Sequence, residues 1–136
     1  MNEGLEDAAP ALVQAVLRAL SAEGPLARED DAYLERAGQL SMAGAVAQAI
    51  EDRATLVVEA GTGVGKTFAY LVPTLLSGGR ALISTATKSL QDQLFLRDIP
   101  RLRDALQLPI SIALLKGRSS YLCLHRLNQA RQADTL

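Results

Sequence analysis

The most informative segment of this 136-residue chain is a glycine-dense stretch, Ala60-Gly61-Thr62-Gly63-Val64-Gly65-Lys66-Thr67. It fits the phosphate-binding pattern G-x-x-x-x-G-K-[ST], with alanine in the first position. Closely spaced glycines let successive backbone N–H groups face one concavity, which binds anions. Lys66 would supply a cation to the β- and γ-phosphates, and the Thr67 hydroxyl would ligate Mg²⁺. The stretch predicts a site for ATP and Mg²⁺, with Lys66 and Thr67 as the candidate catalytic residues.

The flanking sequence supports this interpretation. A β-branched apolar run at 55–58 predicts a buried strand before the loop, and residues 67–76 predict a helix after it, bent or weakened at Pro73. The alternative is a glycine-rich turn that binds no ligand. Such a turn would not need a strand before it and a helix after it. The spacing also differs from the G-x-G-x-x-G of dinucleotide-binding folds.

The rest of the chain repeats the alternation of strands and helices. Apolar runs at 81–85 and 110–115 predict two further strands, and residues 88–96 and 101–107 predict helices separated at Pro100. Continuous apolar strands that alternate with helices indicate a parallel sheet flanked by helices, which is an α/β fold. Before this unit, helices are predicted at 9–21 and 40–52, with a polar loop at 26–35.

Composition excludes several classes of protein. The chain is 49% hydrophobic and 21% charged, has one cysteine, and contains no apolar run of membrane-spanning length. The acidic N-terminus lacks the basic, apolar pattern of a secretory signal, so we expect a cytoplasmic protein with no membrane contact. Residues 80–136 carry 9 Lys/Arg against 4 Asp/Glu, whereas residues 1–79 carry 5 against 11. Such a basic half can face nucleic acid, although charge alone favours ordinary solvated helix faces.

Four segments in a fixed order carry a resemblance to a known family. They are Arg36-Ala37-Gly38-Gln39, the glycine-dense stretch, Ser84-Thr85-Ala86-Thr87-Lys88-Ser89-Leu90-Gln91-Asp92-Gln93-Leu94, and Lys116-Gly117-Arg118-Ser119-Ser120-Tyr121-Leu122-Cys123. Together, over residues 36–127, they resemble the DinG/YoaA branch of the XPD-like helicases of superfamily 2. In that superfamily alanine is usual at the first position of the phosphate-binding loop.

The resemblance implies a role for each segment. Arg36 and Gln39 correspond to the segment whose glutamine contacts adenine, so both join residues 60–67 in the expected cofactor site. The 84–94 run is similar to the motif that contacts the DNA backbone. Cys123 corresponds to the first ligand of a 4Fe–4S cluster. The implied activity is ATP-dependent 5′–3′ unwinding of single-stranded or forked DNA in repair or replication.

The resemblance also divides the chain into three parts. Residues 1–35 form an N-terminal helical extension, residues 36–115 a partial RecA-like motor domain, and residues 116–136 the start of an iron–sulfur domain. The acidic Walker B box, three further cluster cysteines and a second motor domain have no counterpart here. We therefore expect an N-terminal ATP-binding fragment that is inactive alone. The alternatives are a small P-loop kinase or regulatory nucleotide-binding module, an RNA-directed motor, and a non-catalytic remnant.

Two kinds of side chain in these segments have a second interpretation. Thr85 ends a predicted strand and Thr87 precedes a predicted helix, where hydroxyls serve as caps as well as phosphate ligands. Tyr121 could stack on a base or pack within the protein. The single histidine, His125, has no sequence partner that would make it catalytic.

Overall fold

A computed structural model describes residues 10–133, so the acidic N-terminus and the first residue of the predicted helix 9–21 lie outside the described residues. The described part contains seven α-helices. They are α1 (Ala11–Ala19), α2 (Pro25–Glu29), α3 (Ala37–Glu51), α4 (Lys66–Leu76), α5 (Lys88–Gln93), α6 (Ile99–Ala105) and α7 (Leu124–Ala133). A π-helical turn, Leu94–Asp98, joins α5 to α6, and a 3₁₀ turn covers Arg118–Ser120.

Most of the predicted helices are confirmed, but the loop predicted at 26–35 contains α2. Its first residue, Pro25, has the fixed φ that suits a first helical turn, and Leu26 is buried in the core. Gly24 precedes it, where a Cβ would overlap the backbone of Arg18 and Ala19 in α1. Gly24-Pro25 therefore ends one helix region and begins the next.

Proline has different effects in α4 and α6. The α4 helix continues through the buried Pro73 as far as Leu76, and the Thr74 hydroxyl donates a hydrogen bond to the Tyr70 carbonyl at 2.7 Å. Pro100 lies in the first turn of α6, which directly follows the π-helical turn Leu94–Asp98, and the helical backbone continues past it to Ala105. The sequence predicts two helices separated at Pro100. In the structure they are joined by the π-helical turn, which precedes the proline.

One hydrophobic core joins the N-terminal helices to the rest of the protein. Its buried members are Val16, Ala19, Leu20, Leu26, Ala43, Ala47, Ala69, Leu71, Val72, Leu94, Ile99, Leu102 and Ala105. Small residues on the facing sides of α3 and α4 let these two helices pack closely. An ion pair of 2.7 Å between Arg101 and Asp30 also ties α6 to the segment after α2. This packing fixes α3 against the helix that begins at Lys66.

The predicted parallel sheet is not shown. Residues 55–58, 81–85 and 110–115 are not assigned as strands, and within the described part of the chain no backbone hydrogen bond joins any two of these segments. Val57 and Leu82 are 92% and 93% exposed. The physical reason is that a strand is completed by a neighbour about 4.8 Å away, and these segments have helices beside them but no paired strand.

Two of these segments line an open groove of about 440 Å³. They are residues 81–85 and 110–115, and apolar side chains of the helices, including Leu75, Leu94 and Ile99, line the same groove. Both segments therefore place apolar side chains beside the same helices, but no backbone hydrogen bond of the described residues pairs them.

Candidate nucleotide-binding site

The loop before α4 contains two glycines in a left-handed conformation. Gly63 and Gly65 have φ values of +80° and +88°, in the left-handed region that only glycine adopts readily. Gly65 is the N-cap of α4, so the positive end of an 11-residue helix starts at the end of the loop. Unpaired N–H groups at such a helix start bind anions.

Lys66 is the exposed first residue of α4, and its side chain turns back across the loop. Its Nζ donates hydrogen bonds to the carbonyl oxygens of Ala60 at 2.8 Å and Gly61 at 2.7 Å. The ammonium group therefore lies at the start of the loop, while the N–H groups of α4 lie at its end. Positive charge thus faces the loop from two sides.

Thr67 follows as a half-buried residue with a tyrosine beside it. Burial raises the pKa of Tyr70, a hydrogen bond with Thr67 lowers it, and the charge of Asp98 raises it again. The net shift is upward, so the Tyr70 hydroxyl keeps its proton at neutral pH. Sequence reasoning missed Tyr70, although its position three residues after Thr67 on a helix predicts a shared face.

Gln39 and Arg36, the two residues expected near the nucleotide, both contact the loop backbone. The Gln39 Nε2 donates to the Gly65 carbonyl at 3.0 Å, and the Arg36 Nη1 donates to the Gly63 carbonyl at 3.2 Å. Gln39 is only 4% exposed, whereas Arg36 is exposed. A Cβ at Gly38 would lie 3.4 Å from Val64, so the start of α3 also packs on the loop. The structure therefore brings Arg36, Gln39 and residues 60–67 together.

Tyr33 extends this contact to α1. Its hydroxyl donates to the Leu20 carbonyl at 2.7 Å and lies 3.5 Å from the Gln39 Oε1. Burial raises the pKa of Tyr33, the charge of Glu35 raises it further, and that of Arg36 lowers it. Nothing in the sequence pattern singles out Tyr33, because its role depends on how α1 meets α3.

Comparison with known families identifies the chain at this point. The sequence profile of the DEAD/DEAH box helicases matches residues 42–134, which is more than half of the chain. The chain belongs to the DEAD/DEAH box helicase family. That family has a RecA-like fold and uses ATP and Mg²⁺, in agreement with the chemistry of the loop.

Individual relatives confirm the resemblance to DinG and YoaA. The chain is 54% identical over 109 residues to the ATP-dependent DNA helicase YoaA of Haemophilus influenzae, covering 80% of this chain and 17% of that protein. It is 53% identical to YoaA of Escherichia coli, covering 79% and 17%, and 46% identical to the ATP-dependent helicase DinG of Mycobacterium tuberculosis, covering 73% and 16%. The chain thus spans about a sixth of the length of these relatives. No solved structure matches it significantly.

The run at 84–94 contains the turn into α5, the whole of α5 and the first residue of the π-helical turn. Thr87 is the N-cap of α5, and the Thr87 Oγ1 accepts a hydrogen bond from the Leu90 N–H at 3.2 Å. The Thr85 hydroxyl donates to the Thr87 carbonyl at 3.2 Å. Both threonines therefore shape the turn into α5, which is the capping role.

The basic half of the chain is partly neutralised. Arg97, Arg101, Arg103 and Lys116 lie in ion pairs with aspartates. Other cations are exposed, and none of them has an ion pair among residues 10–133; these are Arg80, Lys88, Arg118 and Arg126.

Cys123 is exposed between the 3₁₀ turn and α7. The described residues contain no group of three or more His, Cys, Asp and Glu side chains that could hold a metal. A 4Fe–4S cluster needs four protein ligands, so the described residues alone do not fit it.

Among the helices of residues 10–133, none has the length and apolar character of a membrane-spanning helix.

Proposed function

We propose that this chain provides the ATP-binding part of the first motor domain of a DNA helicase that moves 5′ to 3′ on single-stranded or forked DNA in repair or replication. One observation supports the proposal above the others. The loop at 60–67 has two left-handed glycines, a lysine across its mouth, and side-chain contacts from Arg36 and Gln39 to its backbone. Two relatives named ATP-dependent DNA helicases share this region of the chain.

Each site residue has a distinct proposed role. The N–H groups of residues 60–65 surround the phosphates, and Lys66 exchanges its two carbonyl contacts for the β- and γ-phosphates. Thr67 offers its hydroxyl to Mg²⁺, which neutralises phosphate charge when bound. Tyr70 orients that hydroxyl, and Gln39 and Arg36 hold the loop while they face the adenine side.

The finer architecture belongs to the same proposal. Residues 1–35 are an N-terminal extension, residues 36–115 part of a RecA-like domain, and residues 116–136 the start of an iron–sulfur domain. Residues 55–58, 81–85 and 110–115 become strands of a parallel sheet when neighbouring strands pair with them. Their exposed backbones and apolar side chains support this, since unpaired edges attract further strands.

DNA is the proposed partner of the basic half. The turn into α5 and the exposed cations Arg80, Lys88 and Arg118 supply phosphate contacts. Cys123 is the proposed first ligand of a 4Fe–4S cluster in a longer protein that adds three more cysteines. The relatives are bacterial proteins, and the cytoplasmic location expected from the sequence is part of this proposal.

Nucleotide binding by the purified chain tests the proposal. We expect ATP with Mg²⁺ to bind, and Lys66→Ala to lower the affinity by about 2–3 kcal/mol, because a charge-assisted contact to phosphate is lost. Arg18→Ala is the matched control, since it removes an exposed cation of α1 that lies outside the loop. Equal affinities of the wild type and Lys66→Ala would refute the assignment. A kinase or regulatory module would bind ATP as well, but single-stranded DNA would leave its ATP affinity unchanged.

A further inference from the structure

Two adjacent side chains of α5 hold the segment that leads to Cys123. The Gln91 Nε2 donates to the Leu115 carbonyl at 2.9 Å. The Lys116 Nζ donates a hydrogen bond to the Asp92 Oδ1 at 2.7 Å, and the two charged groups form an ion pair. Consecutive residues of the helix thus bind consecutive residues 24 positions later in the chain.

The segment beyond Lys116 is a turn closed by its own hydrogen bonds. The Lys116 N–H donates to the Tyr121 hydroxyl at 2.9 Å, which joins the two ends of the turn. Inside it, the Ser120 N–H donates to the Gly117 carbonyl at 2.8 Å and the Tyr121 N–H to the Arg118 carbonyl at 3.2 Å. The turn at 116–121 is therefore a compact unit, and its first residue is tied to α5.

The two cations of this turn differ in availability. Lys116 is neutralised by Asp92, and only 26% of its side chain is exposed. Arg118 is exposed and has no ion pair within the described part of the chain. Lys116 therefore acts as a tether, and Arg118 is the cation that the turn presents to solvent.

We propose that Asp92 is a positioning residue for nucleic-acid binding. Through Lys116 it fixes the turn at 116–121 on α5, so that Arg118 keeps a set position relative to the threonines that start this helix. A cation that is already ordered pays less conformational entropy when it meets a phosphate. This inference rests on the proposed DNA binding. It adds Asp92, a residue whose negative charge does not suit a direct contact with phosphate.

That charge makes the test sharp. Asp92→Asn removes a negative charge beside the exposed cations, so electrostatics alone predicts tighter binding of single-stranded DNA. The positioning role predicts the opposite, a loss of about three- to tenfold, because the turn must be ordered on binding. Asp104→Asn is the matched control: among residues 10–133, the aspartate that it removes forms an ion pair with its neighbour Arg103 alone, at 2.8 Å. We expect this control to bind as the wild type does, or slightly tighter.

Charge reversal provides the rescue. The double variant Asp92→Lys with Lys116→Asp keeps the net charge and can re-form the ion pair with the groups exchanged. We expect its affinity for a fluorescein-labelled oligothymidylate, measured by anisotropy at low salt, to return to within about twofold of wild type, in contrast to Asp92→Asn. Tighter binding by Asp92→Asn, or a double variant no better than Asp92→Asn, would overturn the proposal.

Amide hydrogen exchange separates this proposal from the proposed function. In Asp92→Asn the N–H groups of Lys116, Ser120 and Tyr121 should exchange several-fold faster than in the wild type and in Asp104→Asn. Unchanged exchange would overturn the tether itself, whatever the DNA result. If the wild-type chain binds no oligothymidylate, DNA binding by this chain is refuted, and the exchange rates still decide whether Asp92 holds the turn.

Discussion

The side chain of Gln39 occupies the space that a side chain at Gly65 would need. Its Nε2 donates to the Gly65 carbonyl at 3.0 Å, and a Cβ built on Gly65 would overlap this amide group. Gly65 also has φ +88° and caps α4. The glycine before Lys66 is therefore required for two independent reasons, its backbone conformation and the closeness of α3.

Gly65→Ala should lower both ATP affinity and stability. A left-handed conformation costs a non-glycine residue about 1–2 kcal/mol, and displacement of Gln39 adds to that cost. We expect a lower urea midpoint and an ATP affinity reduced by at least tenfold, measured by titration with labelled ATP. Gly79→Ala is the control outside the loop, because its Cβ would meet nothing closer than the Ser77 Oγ at 3.8 Å and its φ is not positive. Equal behaviour of the two variants would contradict the role given to Gln39 and Gly65.

Gln39→Ala separates support of the loop from recognition of adenine. The variant leaves the Gly65 carbonyl without its side-chain donor, at a cost of about 1–3 kcal/mol, so affinity for ATP and GTP should both fall. If Gln39 also contacts adenine, as the family resemblance implies, ATP should lose more affinity than GTP. Competition titrations with the two nucleotides measure this difference. An equal loss for both would limit Gln39 to holding the loop.

The sequence predicted the helices well because their signals are local. Apolar residues at helical spacing located α1 and α3, and the glycines around Lys66 located the start of α4. Pro25 lies just after the predicted helix 9–21, and a proline there also suits the first turn of a following helix, here α2. The strands could not be settled in this way. An apolar run predicts an extended, buried segment, but its hydrogen bonds depend on residues far away in the chain.

The same distinction applies to the candidate site. Residues 60–67 follow a pattern of adjacent positions, so the loop and Lys66 were predictable from the sequence. Tyr33 and Asp92 were not, since their contacts join residues 13 and 24 positions apart, to Leu20 and Lys116. For Gln39, the family resemblance predicted a position in the nucleotide site, and the structure adds the contact of its side chain with Gly65.

Gln107→Gly should stabilise the chain. Gln107 follows α6 with φ +52°, and the N–H of Leu108 donates back to the Arg103 carbonyl at 3.0 Å, the bond pattern of a helix that ends in a left-handed residue. Glycine removes the strain there but gives the unfolded chain more freedom, for a net gain of about 0.5–1 kcal/mol. Urea unfolding measures it. Ala45→Gly, at an exposed position inside α3, should instead cost about 1 kcal/mol. Destabilisation by Gln107→Gly would show that its side chain has a contact that outweighs the strain.

Cys123 provides the final prediction. A lone cysteine is more often a small apolar residue than a metal ligand, but Cys123 is exposed and follows a turn that α5 holds in place. The 136-residue chain offers one thiolate, so it should bind no stoichiometric iron. In a longer protein that adds three cysteines, Cys123→Ser should reduce iron content and DNA unwinding to background. ATP affinity should stay within about twofold, because among residues 10–133 no hydrogen bond joins the loop at 60–67 to the turn at 116–121.

The neighbouring variant Leu122→Ala tests whether any such loss is specific to the thiol. Leu122 is exposed and adjacent in the chain, so a general disturbance of the segment would affect both variants alike. Iron is measured by colorimetric assay and by the visible absorbance of the cluster, alongside ATP titration and strand displacement. Full iron content and full unwinding in Cys123→Ser would return this cysteine to an ordinary surface position. Loss of iron in Leu122→Ala as well would assign the effect to the segment and its attachment to α5, and not to sulfur ligation.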